Sequence, residues 1–139
     1  KNSPNHSQFK NLRYLCADIK SLKTSEISSK KNISLLVSNS LIHHITHLDD
    51  FFNCLDKLSS NITINFHKDL KRPNSEKQAL ELKEKCAEKY NDILTNDYYA
   101  SLLASYSLKE LKNFIFDKKL SSLEVFEEAD QYLVIYGKV

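Results

Sequence analysis

A short aliphatic run followed at once by a polar triplet is the feature that most constrains the fold of this chain. The run occupies residues 33–37, where four of the five residues are isoleucine, leucine or valine. Such a run between polar flanks predicts a strand that is buried on both faces of a sheet. Ser38, Asn39 and Ser40 follow it, in the position that lines the ligand crevice of a parallel α/β sheet. The stretch therefore predicts an α/β domain with its site at the carboxyl edge of the sheet.

Size and composition favour one soluble globular domain. The chain has 139 residues, of which 41% are hydrophobic and 27% charged, and no apolar run approaches the ~20 residues of a membrane span. The net charge is only +2, and the lysines are scattered among acids, which argues against a nucleic-acid partner. Cys16, Cys54 and Cys86 are far apart and odd in number, so we expect buried thiols in a reducing cytoplasm rather than disulfides.

Hydrophobic periodicity predicts alternating strands and helices. The predicted strands are residues 12–16, 33–37, 61–66, 122–128 and 132–136, and the predicted helices are residues 48–58, 76–93, 98–105 and 107–118. Capping-box spacing at Thr46 and Asp49, and again at Ser107 and Glu110, predicts where two of the helices begin. The short connection between the last two strands predicts a hairpin, so one strand is antiparallel.

The residues that follow the first three predicted strands carry a family resemblance. They are Ala17-Asp18, then Ser38-Asn39-Ser40-Leu41-Ile42-His43-His44, then Asp69-Leu70-Lys71-Arg72-Pro73. With the helical cover and the terminal hairpin, this order resembles the class I S-adenosylmethionine-dependent methyltransferases of the small-molecule type, from about residue 11 to the end. The resemblance implies a partial Rossmann-like sheet, mostly parallel with an antiparallel last strand, with helices on its faces and a helical cover.

The resemblance also implies a set of cofactor-binding residues. In the family, an acidic residue after the third strand bonds the adenine amino group, and Asp18 matches it, with Ala17 and Ile19 beside the ring. The end of the family's fourth strand lies along the methionine part of the cofactor. The residues that match this strand end are Ser38, Asn39 and Ser40.

The same comparison implies substrate-binding and catalytic candidates. After the family's fifth strand, Asp69 and Arg72 would stand at the rim of the substrate pocket, and Tyr98 and Tyr99 would belong to a lid. The general-base candidates are His43 and His44, since one ring of the pair would look into the site.

Each of these residues also has a structural interpretation. Asp18 is of a residue type that turns favour. Ser38 and Asn39 could satisfy the hydrogen-bonding groups at the strand end and cap the next turn. The tyrosines could belong to a helix core. His43 and His44 point about 100° apart on a helix, which predicts one packed and one solvated ring. His47 has the helical spacing of a zinc pair with His43, but no third ligand is apparent, so no metal site is predicted.

The largest departure from the family is the absence of a Gly-rich loop. Gly137 is the only glycine, and the family's loop needs glycines so that the backbone can approach the cofactor. We therefore expect residues 1–139 to be an N-terminally incomplete, cytoplasmic methyltransferase domain that is inactive alone. Its intact form would transfer methyl from S-adenosylmethionine to a small molecule. The alternative is a non-catalytic, methyltransferase-like binding module that self-associates through exposed sheet edges.

Overall fold

The computed structural model of the protein describes residues 14–27 and 33–139. One mixed sheet has the order β1-β2-β4-β3, with β1 parallel to β2 and with β4 antiparallel to both β2 and β3. The strands are β1 (Leu35–Asn39), β2 (Ile64–Leu70), β3 (Leu123–Glu128) and β4 (Tyr132–Gly137). The expected α/β class and the antiparallel terminal hairpin are confirmed.

The helices are α1 (Thr24–Ile27), α2 (Leu48–Leu58), α3 (Glu76–Ala87), α4 (Asp92–Ala104) and α5 (Leu108–Asp117), and a 3₁₀ turn (Ile42–His44) follows β1. The predicted stripe on α2 is correct, because its apolar side chains are buried in the core. One hydrophobic cluster joins α2 and α5 to the sheet; it includes Leu48, Phe51, Phe52, Leu55, Leu111, Ile115, Leu123, Val125, Leu133 and Ile135. We call the side of the sheet that faces this cluster the inner face.

The opposite side of the sheet carries exposed apolar side chains. Strand register places Leu35, Val37, Phe66, Phe126 and Tyr136 together there, and we call this set the open face. Leu35 is 55% exposed and Val37 is 61% exposed. The prediction that the aliphatic run is buried on both faces is therefore wrong, because β1 lies at the edge of the described sheet and only its inner side is packed.

Several predicted strands differ from the structure in their bounds or existence. Residues 14–16 of the first predicted strand are not in a strand, and residues 12 and 13 lie outside the described residues. The polar triplet does not simply follow β1, because Ser38 and Asn39 are its last two residues. Strand β2 continues to Leu70, four residues beyond the predicted end. Two of its extra residues, His67 and Asp69, are polar side chains that find buried partners, which a hydrophobicity pattern does not reveal.

The long predicted helix divides earlier than expected. It ends at Ala87, and Asn91 caps α4 by accepting a hydrogen bond from the backbone of Leu94 at 3.0 Å. Helix α4 then passes through the predicted interruption at Asn96 and Asp97, because the asparagine side chain at the cap supplies the helix start instead.

The two predicted capping boxes have opposite outcomes. Ser107 and Glu110 form the box at the start of α5 as expected. Thr46 does not cap α2, whose N-cap is His47, without a side-chain hydrogen bond.

The cysteines differ in burial. Cys54 is buried and Cys86 is intermediate, but Cys16 is exposed, so the expectation of buried thiols is wrong for Cys16. Within the described parts of the chain, no helix has the length and apolar character needed to cross a membrane.

Candidate functional site

The carboxyl ends of the two parallel strands lie side by side. Ser38 pairs with His67 and Asn39 with Lys68, and the backbone N–H of Ser40 donates to the carbonyl of Lys68 at 2.9 Å. Ser40 has a φ of 53°, a left-handed conformation that turns the chain sharply away from the strand. The 3₁₀ turn that carries the histidine pair follows within two residues, so it lies at this edge of the sheet.

A buried carboxylate organises this edge. Oδ1 of Asp69 accepts from Nδ1 of His43 at 2.5 Å and from the backbone N–H of Leu70 at 2.7 Å. Its Oδ2 accepts from the backbone N–H groups of Ile42 and His43. Asp69 and His43 are both buried. Asp69 therefore lies beneath the edge and fixes the 3₁₀ turn, instead of standing at the rim of a substrate pocket as expected.

The two adjacent histidines have different environments. His43 is buried and His44 is exposed, which confirms the prediction of one packed and one solvated ring. His47 is also exposed and lies outside the 3₁₀ turn, so the helical spacing from His43 does not form a metal pair. Residues 14–27 and 33–139 contain no group of three potential metal ligands.

Strand β2 and Thr63, the residue directly before it, contribute four polar side chains on the inner face of the sheet. They are Thr63, Asn65, His67 and Asp69, and we call them the polar column. All four are buried, and each has a hydrogen-bond partner, as buried polar groups require. Thr63 donates to the carbonyl of Ile33 at 2.6 Å. The column explains why β2 continues through His67 and Asp69, which the sequence pattern placed after the end of the strand.

The buried ring of His67 is paired with a serine of the neighbouring strand. Nδ1 of His67 lies 2.9 Å from Oγ of Ser38, and the ring packs edge-on against Phe51 with centroids 5.0 Å apart. Burial lowers the pKa of His67 to about 4, because desolvation disfavours the charged imidazolium. The Ser38 hydroxyl therefore faces a neutral histidine in the core and not the crevice that the sequence suggested.

The predicted adenine-binding residues form a turn at the protein surface. The carboxylate of Asp18 accepts from the backbone N–H of Lys20 at 2.9 Å, and its carbonyl accepts from Ser21 at 3.1 Å. Ala17 and Asp18 are exposed, whereas Ile19 packs against the core cluster. Lys20 also pairs with Asp50 at 3.3 Å, which brings this turn to the first turn of α2.

Of the predicted strand-end residues, Asn39 and Ser40 are the two exposed ones. The amide of Asn39 donates to Oγ of Ser40 at 3.3 Å. Their polar groups therefore remain available at the carboxyl edge, near the turn that follows β1.

The predicted substrate-binding residues are divided between two places. Tyr98 donates to Oε1 of Gln131 at 2.9 Å beside a groove of ≈ 600 Å³ between α3, α4 and the start of β4. The Tyr99 ring lies 5.0 Å from Nζ of Lys83. Arg72 pairs with Glu110 at 2.8 Å, outside this groove. The expected lid tyrosines thus lie at the helical cover, one of them bonded to the terminal hairpin.

Comparison of the sequence with protein-family models and with curated proteins found no match. The features that bear on function are therefore those of the chain itself. They are the sheet order, the exposed polar groups after β1 and the buried pair of His43 and Asp69.

Proposed function

We propose that this chain is the acceptor-side part of an S-adenosylmethionine-dependent methyltransferase that acts on a small molecule. The observation that carries the proposal is the strand order β1-β2-β4-β3, in which the last strand is inserted antiparallel between β2 and β3. The family's order, 3-2-1-4-5-7-6, ends in the same arrangement of a fourth, fifth, seventh and sixth strand. This pattern, in which two parallel strands are followed by an inserted antiparallel strand, is specific. It supports the resemblance independently of the motifs.

The described residues fit only part of the cofactor. Asn39 and Ser40 supply an exposed amide and hydroxyl at the strand end, which suits the amino-acid part of S-adenosylmethionine. Gly137 pairs with Asn65 near the amino end of β2, so the only glycine of the chain is at the opposite edge of the sheet. A close backbone approach to the rest of the cofactor must therefore come from residues other than those described.

S-adenosylmethionine supplies an activated methyl group when it is bound, so the task of the protein is to hold donor and acceptor in line. The carboxyl edge offers the surfaces for this task. Asn39 lies on the cofactor side, and the groove beside Tyr98 offers space for a small acceptor.

The first test is the reading frame upstream of the Lys1 codon. We expect an in-frame strand followed by a Gly-x-Gly turn. The protein that includes this segment is then titrated with S-adenosylmethionine by calorimetry. Asn39→Ala is expected to weaken binding by about tenfold, as the loss of one good polar contact would. Asn113→Ala, on the exposed side of α5, serves as the matched control and should bind normally. Failure of that whole protein to bind S-adenosylmethionine would overturn the proposal.

The open face favours a second candidate, a non-catalytic binding module. Leu35 and Val37 are more than half exposed on a strand at the sheet edge, and such edges pair readily with other strands. A stop codon directly upstream, together with no affinity for S-adenosylmethionine, would favour this function over methyl transfer.

A further inference from the structure

The groove between α3, α4 and the start of β4 has positive charge without a compensating acid. Its charged lining residues are Lys85 and Lys89, and none of the residues that line it is acidic. Both lysines are exposed, one in the last turn of α3 and the other just after it. Within the described part of the chain, neither ammonium group has an ion-pair partner. The groove therefore attracts an anion.

The amide of Gln131 adds a hydrogen-bond donor to the same groove. The hydroxyl of Tyr98 donates to its Oε1 at 2.9 Å, which leaves the amide nitrogen without a partner among the described residues. Burial raises the pKa of Tyr98, so its hydroxyl keeps the proton that it donates. Two ammonium groups and an amide N–H₂ match a carboxylate, which only accepts hydrogen bonds.

Aromatic and aliphatic side chains form the rest of the lining. Tyr90 is 56% exposed and Leu94 is 51% exposed, and the ring of Tyr132 lies 4.5 Å from Nζ of Lys68. The volume of ≈ 600 Å³ is in the range of sites that hold small organic molecules. Apolar side chains in contact with solvent, next to unpaired positive charge, fit a ligand with a flat apolar body and an anionic group.

We propose that this groove binds an aromatic carboxylate. Its ring lies against Tyr90 and Leu94, and its carboxylate is held by Lys85, Lys89 and the amide of Gln131. This binding does not require methyl transfer; only a role of the ligand as the methyl acceptor rests on the function proposed above.

The position of the groove is compatible with that role. Tyr132, at the start of β4, pairs with Leu70, the last residue of β2. The groove therefore lies toward the carboxyl edge of the two parallel strands, the edge that also carries Asn39.

Calorimetry with three probes tests the ligand class, on the protein that is titrated with S-adenosylmethionine. The probes are 2-naphthoate, 2-naphthalenemethanol, which has the same rings without the charge, and inorganic phosphate, which has charge without rings. We expect 2-naphthoate to bind at least about tenfold more tightly than either of the others. Equal affinity for 2-naphthoate and one of the other probes would overturn the proposal, as would no binding of 2-naphthoate.

Substitution of the two lysines tests where the charge is read. Lys85→Gln combined with Lys89→Gln should weaken 2-naphthoate binding by about tenfold and leave 2-naphthalenemethanol binding unchanged. Lys77→Gln, at an exposed position in the first turn of α3, is the matched control and should bind 2-naphthoate normally. An equal loss in the control would mean that the protein attracts the anion without a defined site.

Alkylation by iodoacetamide, followed by peptide mass spectrometry, locates the bound ligand. Cys86 lines the groove, and exposed Cys16 is the internal control. At a 2-naphthoate concentration about ten times its Kd, alkylation of Cys86 should slow by about tenfold, because the reagent reaches only the free groove. The rate at Cys16 should not change. An unchanged rate at Cys86 would place the ligand elsewhere and overturn the proposal.

These results are distinguishable from failure of the proposed function. Protection of Cys86 by 2-naphthoate in a protein that does not bind S-adenosylmethionine would keep the groove as a carboxylate site and remove its role in methyl transfer. Binding of S-adenosylmethionine without binding of 2-naphthoate would keep methyl transfer and overturn the inference about the groove.

Discussion

His67 is a histidine whose folded environment holds it neutral. The groups around its ring are the hydroxyl of Ser38, the amide oxygen of Asn65 and the ring of Phe51, and none of them is charged. Burial lowers its pKa to about 4, well below that of an exposed histidine. In the unfolded chain the ring takes up a proton at a higher pH, so the two states bind different numbers of protons at mildly acidic pH.

We expect the free energy of unfolding to depend on pH through His67. The contribution of neutral His67 to the free energy of unfolding is complete above pH about 6.5. It falls as the pH drops and is lost by pH about 4, a total decrease of about 3 kcal/mol. Urea unfolding across this range measures it. His67→Gln should flatten this part of the profile, whereas His44→Gln, at an exposed position, should keep it. An unchanged profile in His67→Gln would contradict the assignment.

At the scale of elements, the helices with an apolar stripe were predictable from the sequence, whereas the carboxyl-terminal half of strand β2 was not. Helix α2 and the capping box of α5 depend on contacts within a few residues, so local patterns predict them. The polar column depends on distant partners instead. Ser38 lies 29 residues from His67, and His43 lies 26 residues from Asp69, and no local pattern can join such pairs.

The separation of these residues along the sequence also limits what could be predicted of the candidate site. The sequence identified His43 and Asp69 separately, as a base candidate and as a rim residue. Their hydrogen bond arises only because β1 and β2 are parallel neighbours, so that the residues after one strand reach the end of the other. The signal that could have suggested the pair is a histidine shortly after one strand and a polar residue at the end of the next strand, when the two strands are parallel neighbours.

The capping box of α5 is expected to contribute measurably to stability. Ser107 accepts from the backbone of Glu110, and the Glu110 carboxylate accepts in return from the backbone of Ser107. Ser107→Ala should lower the free energy of unfolding by about 1 kcal/mol, as measured by urea denaturation. Lys109→Ala, at an exposed position in the same turn, is the control. An equal effect of both variants would mean that the cap is not responsible.

At the scale of the whole molecule, the sheet is covered unequally. Helices α2 and α5 pack on its inner face, whereas the open face leaves large side chains in contact with solvent. Exposed apolar patches on a folded protein can bind apolar partners, so we expect the open face to bind an apolar probe.

A dye that binds exposed apolar surface should report the open face. We expect the native chain to bind anilinonaphthalene sulfonate, and Val37→Lys to reduce the fluorescence clearly while changing the free energy of unfolding by less than about 0.5 kcal/mol. Phe116→Ser removes an 82% exposed ring on α5 and is the control, because that ring lies outside the open face. Equal losses in the two variants would mean that the dye does not recognise the sheet.

The polar column also bears on how the chain selects one sheet alignment during folding. A slip of β2 by one residue would turn Ile64, Phe66, Lys68 and Leu70 toward α2 in place of the polar side chains, so the burial of apolar side chains alone does not specify the native alignment. The native alignment is the one in which Asp69 reaches His43 and His67 reaches Ser38. Hydrogen bonds therefore select the alignment of this sheet: a collapsed chain with the slipped strand leaves those donors and acceptors unmatched.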